Sequence, residues 1–123
     1  MHNRGRQAQA EPLYRQALTL YQQTSGTEFE QANCLYNLAK ILIDLGKPAQ
    51  AESMLRHALT LFQAIPGSEE KRAHCLSNLA ATLNALGKPA QAESVCYQAL
   101  TLYRAIPDSE SNQAICMSNL ATI

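Results

Sequence analysis

The sequence has no tryptophan and only two phenylalanines, Phe29 and Phe62, among 123 residues. It also lacks an excess of charge of either sign. The Lys+Arg total of 10 equals the Asp+Glu total of 10, so the formal net charge is zero. A nucleic-acid surface needs surplus positive charge, and none is present. The basic residues are scattered, so no patch suits an anionic membrane surface either. No apolar run approaches the roughly 20 residues that span a bilayer. The opening stretch MHNRGRQAQAEP has no apolar core, so no secretory signal is expected and a cytoplasmic location follows by default.

The groups that usually carry chemistry are sparse. Four cysteines, Cys34, Cys75, Cys96 and Cys116, include no C-x2-C or similar zinc spacing. Cys34, Cys75 and Cys116 lie one repeat apart, which puts them on neighbouring helices about 8–10 Å apart. That is beyond the reach of a disulfide, which needs Cα atoms within about 7 Å. They read as small core residues, as does Cys96. His74 adjoins Cys75, but helix neighbours point about 100° apart and cannot act as a nucleophile–base pair. His2, His57 and His74 read as solvated. Glu69 and Glu70 lie at a helix start, where negative charge suits the dipole. Gly5, Gly46 and Gly87 are isolated helix stops, and there is no glycine-rich phosphate loop. The expectation is no enzyme, no metal and no cofactor.

What the chain has is repetition. LGKPAQAES runs from Leu45 to Ser53 and again from Leu86 to Ser94, 41 residues on. At that offset residues 42–82 match 83–123 at 25 of 41 positions, and 1–41 match 42–82 at 19 of 41. Ala-Leu-Thr-Leu recurs at 17–20, 58–61 and 99–102, and Asn-Leu-Ala at 37–39, 78–80 and 119–121. A period of this size means stacked supersecondary units.

Each unit predicts two helices. In the middle unit Ala73, Leu76, Leu79, Ala80, Leu83 and Leu86 form one stripe at spacings of three and four. Gly87 stops the helix in a left-handed conformation, and Pro89 suits the first turn of the next. The second helix carries Ala92, Val95, Cys96, Ala99, Leu100 and Tyr103 and ends near Ile106-Pro107. Ser109 is expected to cap the following helix, and Thr27-x-x-Glu30 reads as a capping box. Pro12 stands where the other units have serine, so the first helix is expected to start or kink at Glu11–Pro12, with residues 1–10 loosely held.

The stretch Leu35-x2-Leu38-Ala39-x2-Leu42, then Ala51-x3-Leu55 and Ala58, resembles the tetratricopeptide repeat, as do Leu76, Leu79, Ala80, Leu83, Ala92, Cys96 and Ala99 in the next unit. Leucine replaces the family's large aromatic residue, alanine replaces its glycine, and the period is 41 rather than 34. The longer helices and Asn-Leu-Ala resemble the long, about 42-residue subtype of kinesin light chains and many bacterial signalling proteins. The resemblance covers the whole chain. It implies an all-α, right-handed α-α superhelix of about six antiparallel helices. The expected organisation is a half repeat at 1–23, repeats at 27–65 and 68–106, and a half repeat at 109–123.

The resemblance also implies a concave groove lined by the first helix of each unit, and a protein or peptide partner. Asn37, Asn78 and Asn119 look into that groove. Asparagine costs a helix interior roughly half a kcal/mol relative to alanine, and its amide both donates and accepts to a peptide backbone. Helical offset adds Asn33, Tyr36, Lys40, His74 and Ser77 to the peptide-binding candidates, with Ile115 further along. Family members that clamp a terminal carboxylate use lysines where Tyr36 and Ser77 stand here, so the implied ligand is a neutral or mildly amphipathic segment. Asparagine can equally tie neighbouring repeats together. Two alternatives remain: self-association head to tail through the half repeats, and a piece of a larger signalling protein.

Overall fold

The computed structural model describes residues 4–123. Six helices follow one another: α1 (Arg4–Gln22), α2 (Glu28–Asp44), α3 (Pro48–Gln63), α4 (Glu69–Ala85), α5 (Pro89–Arg104) and α6 (Glu110–Thr122). Each packs antiparallel on the next, and α2 also touches α4. No strand occurs among the described residues. The all-α solenoid follows from the stripe of leucines and alanines, which can be buried only by stacking neighbours.

One apolar cluster runs through four helices. Leu38, Ala39 and Leu42 of α2 meet Ala51 and Leu55 of α3, Leu79 and Leu83 of α4, and Ala92 of α5. Leu38 is 0% and Leu79 1% exposed. Burial of one such side chain contributes about 2 kcal/mol. A second cluster joins Leu76, Cys96, Leu100, Tyr103 and Cys116, and a third joins Leu35, Phe62 and Cys75. Ala39, Ala51 and Ala58 are fully buried, which lets the helix axes approach closely.

The tight corner of Leu-Gly-Lys-Pro closes as the glycine predicts. The Lys47 N–H donates to Leu42 O at 2.8 Å and the Gly46 N–H to Ile43 O at 3.1 Å. Lys88 and Gly87 repeat the pattern onto Leu83 and Asn84. This is the paired six-to-one and five-to-two bonding of a Schellman stop, with Gly46 at φ +75° and Gly87 at φ +76°. Pro48 and Pro89 then open the next helices.

The longer corners differ from expectation. Thr27, Ser68 and Ser109 occupy N-cap positions, yet none makes a side-chain cap. Their hydroxyls point backwards and donate to the carbonyls that end the preceding helix. Thr27 reaches Tyr21 O and Thr24 O, Ser68 reaches Phe62 O and Ile65 O, and Ser109 reaches Tyr103 O and Ile106 O. The capping box at Thr27–Glu30 therefore does not form. Carbonyls at a helix end need donors, and each hydroxyl shares its single proton between two of them; Tyr21 O, Phe62 O and Tyr103 O also accept the N–H groups of Thr24, Ile65 and Ile106.

Helix α1 also departs from expectation. It runs from Arg4 through Pro12 rather than starting there, and Gly5 lies inside it instead of stopping a helix. Pro12 and Ala8 are both exposed, so water can bond the Ala8 carbonyl that proline leaves without a donor. The described part of residues 1–10 is held from the side: Gln7 Nε2 donates to Asp44 Oδ2 at 2.7 Å. Residues 1–3, including His2, lie outside the described residues.

Candidate functional site

Helices α2, α4 and α6 present the three Asn-Leu-Ala segments in register. The leucines turn into the core, and Asn37, Asn78 and Asn119 sit beside them half-buried. Asn33, Tyr36, His74 and Ser77 are half-buried as well, and Lys40 is exposed.

Four of these residues, Tyr36, Lys40, His74 and Asn78, already have partners within the chain. Asn78 Nδ2 donates to Tyr36 Oη at 3.0 Å, which ties α4 to α2 across the repeat boundary. Lys40 Nζ lies 5.3 Å from the centre of the Tyr36 ring, a cation–π distance. Burial raises the Tyr36 phenol pKa, and the bond from Asn78 offsets part of that rise. In the next unit Ser77 replaces the tyrosine and cannot reach as far. Asn119 instead lines a shallow notch of about 100 Å³ with Asn84, Thr122 and Ile123. Among the described residues the side chains of Asn37 and Asn119 have no hydrogen-bond partner.

His74 is not solvated. Its Nδ1 lies 2.6 Å from Tyr103 Oη, and the rings sit 5.6 Å apart between centroids. Burial lowers the imidazole pKa, with Glu70 pulling the other way, and burial raises that of the Tyr103 phenol. Burial thus favours the uncharged form of each ring in this contact. Sequence reasoning missed it because the partners lie 29 residues apart and only the middle unit pairs histidine with tyrosine. His57 is exposed on α3.

The cysteines are core residues. Cys75, Cys96 and Cys116 are 0% and Cys34 8% exposed, and all four are free. Burial pushes the Cys75 thiol up to about 12 and Cys96 up to about 11. A thiol that stays protonated is a poor nucleophile and a poor metal ligand. Among the described residues no three His, Cys, Asp or Glu side chains gather where a metal ion could sit. No helix of the described residues is long and apolar enough to cross a membrane.

The arrangement sets amides, one aromatic ring and one cation along a shallow face. A comparison with curated proteins finds no match. The family model described as the tetratricopeptide repeat matches residues 1–64 and 72–123. With helix pairs, small-residue contacts and family match in agreement over most of its length, the chain belongs to the tetratricopeptide repeat family.

Proposed function

We propose that the chain is a non-catalytic scaffold that holds an extended protein segment along the face built by α2, α4 and α6. Tetratricopeptide repeats commonly serve as protein-binding scaffolds. The observation that carries this reading is the pair of unpartnered side-chain amides at Asn37 and Asn119, half-buried and in register on the same face. Neighbouring first helices stand about 10 Å apart, so the two amides span about 20 Å. An extended chain rises about 3.3 Å per residue, so about six ligand residues bridge them. Asn78 lies between them and steadies the face through Tyr36. Tyr36, Lys40 and Asn33 line one end, and His74, Ser77 and the half-exposed Ile115 the other.

This reading takes residues 27–65 and 68–106 as complete repeats, flanked by half repeats at 1–23 and 109–123, and favours the kinesin light chain-like subtype and a cytoplasmic setting. Peptides selected from a displayed random library on the wild-type protein test it. The double variant Asn37→Ala/Asn119→Ala is expected to bind them at least tenfold more weakly, about 1.4 kcal/mol, with an unchanged circular dichroism spectrum. Undiminished binding would count against the face.

A second reading, self-association, rests on α1 and α6. Leu13 is 64% and Met117 48% exposed, whereas Leu76, which corresponds to Met117, is 5% exposed beneath α5. A further helix would bury these faces, whether from adjoining chain or from a second copy. Sedimentation velocity over a concentration series checks it: a strict monomer at high concentration removes the second copy.

A further inference from the structure

The opposite side of the stack carries a second feature. Helices α3 and α5 run parallel and form the walls of a trough of about 270 Å³, floored by α4. Leu59 and Leu102 line the walls half-buried, and Leu76 lies beneath them. Gln63 and Gln98 stand exposed at the rim. On the floor lies Arg72, half-buried, whose side chain among the described residues makes no hydrogen bond and no ion pair.

Arg104 makes no hydrogen bond or ion pair among the described residues either, but it is exposed, whereas Arg72 is half-buried. Arg15 bonds Glu11 and Gln50, and Arg56 bonds Glu52 and Gln91. The repeat makes the departure plainer. The residues equivalent to Arg72 are Gln31 and Gln113, whose amides each donate at 3.1 Å to the corner hydroxyls of Thr27 and Ser109. Arg72 makes no such bond to Ser68, so it has left the structural role of its counterparts. A guanidinium in a partly apolar trough is incompletely solvated and favours a carboxylate, which it can grip through two parallel N–H bonds.

We propose that this trough binds a protein segment in which a carboxylate side chain, gripped by Arg72, stands next to a leucine-like side chain seated between Leu59 and Leu102. The volume is below the usual range for cofactor pockets and suits one aliphatic side chain with a carboxylate beside it. The walls are 16-residue helices about 24 Å long, so a chain passes along the trough rather than ending in it. The site is separate from the asparagine face and does not depend on it.

The test titrates the protein with acetyl-Leu-Glu-Leu-amide and with acetyl-Leu-Gln-Leu-amide, following the Arg72 Nε–Hε resonance and the leucine methyl groups by NMR. The acidic peptide should move the Arg72 resonance and the methyls of Leu59 and Leu102 saturably. The neutral peptide should bind at least tenfold more weakly. Arg72→Gln should abolish the difference without lowering the melting temperature, because glutamine already occupies both equivalent positions. Asn37→Ala/Asn119→Ala should leave the titration unchanged. Equal binding of the two peptides, absence of binding by the wild type, or an unaltered preference in Arg72→Gln would overturn the proposal. So would inorganic phosphate moving Arg72 as strongly as the acidic peptide, or a dimer that Arg72→Gln dissociates.

Discussion

Gly46 and Gly87 have left-handed backbones with open space where a Cβ would stand. Replacing either with alanine therefore costs only the conformational term, and each is expected to lose about 1 kcal/mol in urea unfolding. Asp108 is the converse. It takes φ +57°, the only positive value at a non-glycine position among the described residues, where Gly26 and Gly67 stand in the equivalent corners. Asp108→Gly should gain up to about 1 kcal/mol, the left-handed penalty outweighing glycine's greater unfolded-state entropy. His74 sets a pH dependence. Its folded pKa lies below the ordinary value of 6.5 because of burial, with Glu70 raising it and Lys71 and Lys40 lowering it. The folded state thus binds fewer protons than the unfolded state just below 6.5. Stability present above the unfolded pKa is lost as pH falls through the folded one. The wild type should lose more stability than His74→Gln between about pH 7.5 and about pH 5, read as urea midpoints. Equal losses in the two proteins would exclude His74 as the cause.

The helices show where sequence reading succeeds and where it stops. The leucine stripe around Leu38 and Leu79, the stops at Gly46 and Gly87 and the opening prolines Pro48 and Pro89 were legible because a period or a backbone requirement leaves few structural solutions there. The serine corners were not. A serine before a helix reads the same whether its hydroxyl accepts from the N–H groups ahead or donates to the carbonyls behind, and the buried corner decides in favour of the latter. Substitution separates the two roles. Ser68→Ala should cost about 1–2 kcal/mol by leaving the Ile65 carbonyl without a donor and removing the hydroxyl bond to Phe62 O, which keeps the Ile65 N–H. Ser68→Asp should cost more, because a carboxylate cannot donate and sits beside two carbonyl oxygens. A true N-cap would accept aspartate with little loss. Pro12 does not start the helix for a related reason: its helical cost depends on whether the freed carbonyl meets water, and Ala8 is exposed on α1.

For the whole molecule, a stack of helix pairs follows from the repeat alone, since each unit can bury its stripe only on its neighbours. The proposed face is marked in the sequence by three asparagines at one repeat spacing. What was not legible is that they differ: Tyr36 captures Asn78, while Ser77 leaves Asn119 facing a notch. That difference arises from residues outside the repeated motif and appears only when neighbouring helices are in place. The central claim is that this face grips a passing chain through Asn37 and Asn119. The most direct measurement is NMR titration of the wild-type protein with a library-selected peptide that lacks carboxylate side chains, following side-chain amide resonances. The account predicts that the Asn37 and Asn119 amides shift together and saturate at one peptide per chain. Shifts confined to α1, α3 and α5, with both asparagines unmoved, would contradict it.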